Sequence, residues 1–128
     1  MPNARDVLVV DDDPDMVEAI MMVLEQGNYQ ARSAENGRQA LAEVEKRMPG
    51  LILLDMLMPV MDGWQFAKEM YARYDHTVPI VVVTAAEHVK TRGDEVGADD
   101  VLSKPFNISS LLGVVGRYVP PAAVEAVP

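Results

Sequence analysis

The residues with chemistry in them gather at the ends of apolar runs. Asp11, Asp12 and Asp13 follow "VLVV" without a spacer, Asp55 closes "LILLD", Thr84 closes "VVVT", and Lys104 stands directly before Pro105. Two carboxylates about 4 Å apart repel by about 4 kcal/mol at an effective dielectric of 20, so the first cluster needs a counter-charge. Carboxylates with no thiolate or imidazole beside them suit a hard cation, Mg²⁺ or Mn²⁺, whose remaining positions go to water and phosphate oxygens. A lysine ammonium and a threonine hydroxyl suit the other phosphoryl oxygens. Aspartate can also act as the nucleophile and form an acyl phosphate. Asp55 is the candidate, because it stands alone ahead of the loop "MLMPVMDG". Asp11 and Asp12 are bunched and better placed as metal ligands, and Asp13 reads as a helix cap.

These residues work together only if the chain brings them to one place. Short apolar or β-branched runs at 7–10, 29–33, 51–54, 80–83 and 100–103 alternate with helical patterns, which predicts an α/β fold with a parallel sheet covered on both faces. Every strand of such a sheet ends at the same edge, where ligands bind. The acidic cluster, Asp55, Thr84 and Lys104 therefore converge on one crevice. The second run, "YQARS", alternates as an edge strand would.

Between the strands, Asp13 caps a helix that opens on Pro14, carries Val17, Ile20 and Leu24, and stops at Gly27. Asn36 or Glu35 opens a second helix, with Leu41, Val44 and Met48 inward and Pro49 as its stop. Asp62-Gly63 precedes a third with Phe66, Ala67 and Met70, and Asn107 caps a last one with Leu111, Leu112, Val115 and Tyr118. The stretch "AAEHVKTRGDEVGA" keeps only Val89 and Val96 on one stripe, with Gly93 between them, and predicts a short or irregular fourth helix.

The bulk numbers narrow the function. At 128 residues the chain suits one core. A net charge of −9 argues against direct nucleic-acid binding by this domain, which needs a basic face. With no cysteine there is no disulfide framework and no thiolate zinc site. No apolar stretch approaches the roughly 20 residues of a membrane span, and "MPNARDVLVV" lacks a signal-peptide layout, so a cytoplasmic protein is expected. Residues 1–119 read as one domain and the Pro/Ala-rich 120–128 as a tail or linker stump.

The segments "VVDDDP", "SAENGRQAL", "LILLDMLMPVMDG", "VVVTAA" and "GADDVLSKPF" resemble, in order and nearly in spacing, the receiver domain of two-component response regulators, over about residues 5–118. The resemblance implies a flavodoxin-like, doubly wound, five-stranded parallel sheet in the order 2-1-3-4-5. It implies phosphorylation of Asp55, with Asp12 binding Mg²⁺ directly, Asp11 more often through water, and the Leu57 backbone carbonyl as a further ligand. Thr84 and Lys104 match the hydroxyl and the lysine that hold the phosphoryl group, and a cis bond is implied at Lys104–Pro105. The implied donor is a sensor histidine kinase or a histidine phosphotransfer protein, and the output is another protein or domain.

Three departures stand out. Val101 occupies the position where the family usually carries a switching aromatic residue. Thr84 and Lys104 are 20 positions apart, closer than in the family at large, which again shortens the fourth helix. Leu57 and Ala86, two positions beyond Asp55 and Thr84, tune water attack in the family; neither side chain can hydrogen-bond a water, so no side-chain-assisted dephosphorylation is expected. Rival readings fit less well. An aspartyl phosphatase would want an aspartate where Leu57 stands, and a flavodoxin-type cofactor binder would want a Ser/Thr/Gly loop where "DDDP" would repel the cofactor phosphate. A drifted receiver that binds partners without phosphorylation is the minority reading, since the acceptor, acidic pair, threonine and lysine are all present. Trp64 reads as half-buried packing, Met58 and Met61 as loop packing, and His76 and His88 are assigned no role.

Overall fold

Five parallel strands form the sheet of the computed structural model, which describes residues 6–120. Residues 1–5, residues 121–128 and the side chain of Ala86 lie outside the described residues, and with them all of the expected tail but Pro120. The strands are β1 (Asp6–Val10), β2 (Gln30–Ala34), β3 (Leu51–Asp55), β4 (Ile80–Ala85) and β5 (Asp100–Lys104), in the order β2-β1-β3-β4-β5. The central three are buried almost throughout, as continuous apolar runs in a doubly covered sheet must be. β2 is an edge strand, as its sequence predicts, and is more exposed than the central three, although its burial does not alternate residue by residue.

The helices are α1 (Pro14–Gln26), α2 (Gly37–Lys46), α3 (Gly63–Tyr74), α4 (Val89–Val96) and α5 (Ile108–Tyr118). One apolar cluster joins α2 and α3 to one face of the sheet through Leu41, Val44, Phe66 and Met70; the other joins α1 and α5 through Ile20, Leu24, Leu111 and Val115. Four helices start on a side-chain cap. Asp13 accepts from the Asp15 and Met16 amides, Asn36 from Gln39, and Asn107 from Ser110, while Asp62 and Gln65 form a capping box. The fourth helix lacks one. It spans eight residues after a short 3₁₀ turn at Ala86–His88, with no side-chain hydrogen bond at its N-terminus. No helix among the described residues is long and apolar enough to cross a membrane.

The expected element bounds need correction in places. Strands three to five run one or two residues further than expected, so Asp55, Thr84 and Lys104 belong to the ladder itself. The second strand begins and ends one residue later. α2 stops at Lys46, before Met48 and Pro49, because Arg47 turns to extended backbone at φ −161° and its carbonyl accepts from Arg32. Met48 and Tyr118, expected inward, are only half-buried. The Tyr118 hydroxyl instead donates to the Asp99 carbonyl at 3.1 Å.

Candidate functional site

Asp11 is the first residue past β1 and is 4% exposed. Its amide continues the ladder to the Ala34 carbonyl at 3.1 Å, and its Oδ1 accepts the Asp13 amide at 2.9 Å, which fixes the carboxylate at the sheet edge. Asp12 is exposed, and Asp13 is occupied with the α1 cap. Asp55, the last residue of β3, has a side chain 14% exposed. One oxygen from each of Asp11, Asp12 and Asp55 lies within 4.8 Å of the others. Lys104 sends its Nζ between two of them, 3.8 Å from Asp11 Oδ2 and 3.9 Å from Asp55 Oδ1. The Lys104–Pro105 bond that follows is cis.

One ammonium facing three carboxylates at such distances leaves the site short of positive charge. Burial, reinforced by the Asp11 charge, pushes the Asp55 carboxyl up to about 6, with Lys104 and the Leu57 amide opposing. Asp11 is also raised, first by burial, against the pull of the Asp13 amide and Lys104. Both shifts say that this crevice holds anionic side chains at a cost that a cation would relieve. The donor set, hard oxygens alone, suits Mg²⁺ or Mn²⁺.

The loop after Asp55 is held tightly. Gly63 donates to the Met56 carbonyl at 2.9 Å, and a Cβ there would meet the Met56 Cα at 2.7 Å and the Asp55 carbonyl at 3.0 Å, so only glycine fits. On the other side the Gly37 amide donates to the Met61 carbonyl at 2.9 Å, tying the loop to α2. Between these anchors Val60 is driven to φ +69°, a strain of about 1–3 kcal/mol for a β-branched residue. Leu57 points outward, 57% exposed.

Thr84 is 2% exposed, and its hydroxyl accepts from Arg92 Nη1 at 2.7 Å. Arg92 belongs to the site, and sequence reasoning missed it. It lies on the weakly patterned α4, where a lone polar residue looks like a solvated face. Val101 is half-buried beneath α4. Trp64 is half-buried against the core, as expected, and its Nε1 donates to the Glu95 carboxylate.

Cavity size alone would mislead here. A largely apolar groove of about 600 Å³ lined by Met16, Ala19, Val23, Pro105, Phe106 and Ile108 exceeds the 360 Å³ cavity beside Asp11 and Asp12. Of the convergent charges, Asp11 and Asp12 line the second, and none lines the first.

Comparison with known proteins gives a consistent result. Residues 7–115 match the response regulator receiver domain family. The phosphate regulon transcriptional regulatory protein PhoB of Escherichia coli is 38% identical over 130 aligned positions, covering 97% of this chain and 57% of that protein. The chain thus spans a little over half the length of the curated relatives it matches. Chemotaxis protein CheY4 of Vibrio cholerae superposes with a TM-score of 0.79 at 34% identity, covering 89% of this chain and 98% of that one. The signal receiver domain of a signal transduction histidine kinase from Syntrophus aciditrophicus superposes with a TM-score of 0.81 at 31% identity, covering 96% and 94%.

Proposed function

The chain belongs to the response regulator receiver domain family, and on that premise we propose that Asp55 accepts a phosphoryl group from a phosphohistidine donor and that the resulting aspartyl phosphate biases a partner-binding surface. The observation that carries this is Lys104 reaching between Asp11 and Asp55 in a crevice still short of positive charge. A carboxylate oxygen of Asp55 bonds to phosphorus as the donor's N–P bond breaks. Asp11, Asp12, Asp55 and the Leu57 carbonyl would hold the divalent cation. When bound, Mg²⁺ offsets the carboxylate charge and the charge on the transferring phosphoryl group. Lys104 pairs with a phosphoryl oxygen, and the Thr84 hydroxyl donates to another.

The role is that of a signalling phosphoacceptor, not a turnover enzyme. Leu57 and Ala86 have no side-chain group to orient a water, so the aspartyl phosphate is lost slowly and without side-chain help. The donor is a sensor histidine kinase or a histidine phosphotransfer protein, which places the domain in the cytoplasm. Proteins named for transcriptional regulation, chemotaxis and a histidine kinase share this fold. The output therefore belongs to whatever protein or domain the receiver engages. Residues 1–119 form the receiver and 120–128 a tail or linker stump.

The test is intact-mass measurement after incubation with Mg²⁺ and a small acyl-phosphate donor. One added phosphoryl group, absent in Asp55→Asn and absent with EDTA, is the expected result. Addition to the Asp55→Asn protein would move the acceptor elsewhere.

A further inference from the structure

We propose that Arg92 couples Thr84 to the α3–α4 face of this protein, with Trp64 at the far end of the relay. The proposal rests on Asp55 being the phosphoacceptor, because a phosphoryl group there is what turns the Thr84 hydroxyl. Arg92 Nη1 donates to Thr84 Oγ1 at 2.7 Å. The same guanidinium lies over the Trp64 ring, 5.7 Å from its centroid, within cation–π range. Glu95, three residues along α4, accepts the indole N–H. Two neighbours on one helix face therefore hold the indole, and one of them also holds the threonine.

The other route out of the site is closed. Val101 pairs with Val82 in the ladder, two residues before Thr84. Gly93 is buried, and a Cβ on it would meet Val101 Cγ1 at 2.7 Å, so the α4 backbone lies directly on the valine. A side chain of two methyls under a helix backbone has neither a ring to swing nor room to swing one. The polar path through Arg92 has a movable end.

A threonine hydroxyl has one proton and two lone pairs. With Arg92 donating into a lone pair, the proton remains free for a phosphoryl oxygen. Turning Oγ1 toward Asp55 draws the acceptor away from Arg92, whose guanidinium stays charged and must find another partner. Its place over Trp64 then changes, and the change surfaces between α3 and α4.

Trp64 is the sole tryptophan, so emission and acrylamide quenching read this position alone. The wild type, Thr84→Val, Arg92→Ala, Arg92→Lys and the Thr84→Val/Arg92→Ala pair are compared before and after the acyl phosphate with Mg²⁺. Intact mass gives the phosphoryl occupancy in parallel, and circular dichroism checks the fold. Thr84→Val should alter Trp64 emission when Arg92 is present and add nothing when it is alanine. Phosphorylation should shift the emission of the wild type, and shift Arg92→Ala roughly threefold less at equal occupancy. Arg92→Lys, which keeps the charge but loses the fork, should fall between them and serves if the alanine variant misfolds. An undiminished shift in Arg92→Ala at equal occupancy overturns the relay, as does a Thr84→Val change that ignores residue 92. If no phosphoryl group is added to the wild type, the acceptor reading fails, and the Thr84→Val comparison still decides the coupling in the unmodified chain.

Discussion

Two buried aspartates flank β1, Asp6 as its first residue and Asp11 just past its last, and the fold serves them differently. Asp6 Oδ2 receives Arg32 Nε at 2.7 Å and Arg47 Nη2 at 3.2 Å. Arg32 reaches on to the Glu43 carbonyl at 2.6 Å and to the Arg47 carbonyl, so it also satisfies the last turn of α2. Asp11 has a lysine at 3.8 Å, and that lysine is shared with Asp55. The first arrangement is a lock between β1, β2 and α2. The second has charge left over and room for a cation and an anionic group. Same residue type, same strand, opposite ends: the supply of cations, two guanidiniums on Asp6 Oδ2 against one ammonium shared by Asp11 and Asp55, separates the structural carboxylate from the functional one, although Asp6 Oδ1 itself has no hydrogen-bond partner among the described residues.

The comparison breaks most visibly at the lock. Arg32→Met leaves Asp6, whose side chain is 1% exposed, with the outer guanidinium alone. Removing one partner of a buried pair costs about 3–5 kcal/mol, and that loss is expected in urea titrations. Adding Asp6→Leu should recover most of it, because the cost lies in the uncompensated charge. A single substitution that left the midpoint unmoved would show that this edge is no better paired than the other.

The opposite sign is expected at the site. Asp55 titrates at about 6 against 3.8 for an ordinary aspartate, so between those values the folded chain binds more protons than the unfolded one. Its stability therefore falls as pH rises through that window, and the penalty is complete above it. Without divalent cation, Asp55→Asn should stabilise the protein by up to about 3 kcal/mol at pH 7 and by almost nothing near pH 3.5. Thermal melts at the two pH values check this. A variant that was less stable at pH 7 would make Asp55 a paired structural group after all.

The same contrast explains what the sequence makes legible. Asp11, Asp55 and Thr84 can be found because each follows an apolar run, and Lys104 because it stands before Pro105 at the end of the last strand; parallel strands must end together. Their strand assignments fall short because site residues replace β-formers at the ends, while the ladder continues through pairs such as Asp55 with Val83 and Lys104 with Ala85. Arg32 and Arg92 could not be read. Arg32 sits on an alternating edge strand, where a charged residue is ordinary, and its partners are 26 and 11 positions away. Arg92 sits on a helix whose register is set by Gly93 against Val101 and by the indole of α3, contacts that no local pattern carries.

The smallest effect tests which half of the lock does the holding. Arg47 is 50% exposed where Arg32 is 16% exposed, although both approach the same carboxylate oxygen. Exposure lets water and salt screen the outer guanidinium, and an exposed ion pair contributes about 0–1 kcal/mol. Arg47→Ala should therefore lower stability by less than about 1 kcal/mol, and added salt should shrink the difference. The Arg32→Met loss should persist in salt, since its partner is desolvated. Urea titrations of both variants at low and high ionic strength make the measurement. Were Arg47→Ala to cost as much as Arg32→Met, Asp6 would depend on both cations equally. The lock would then be a shared, screenable charge cluster, closer in kind to the crevice at the other end of β1.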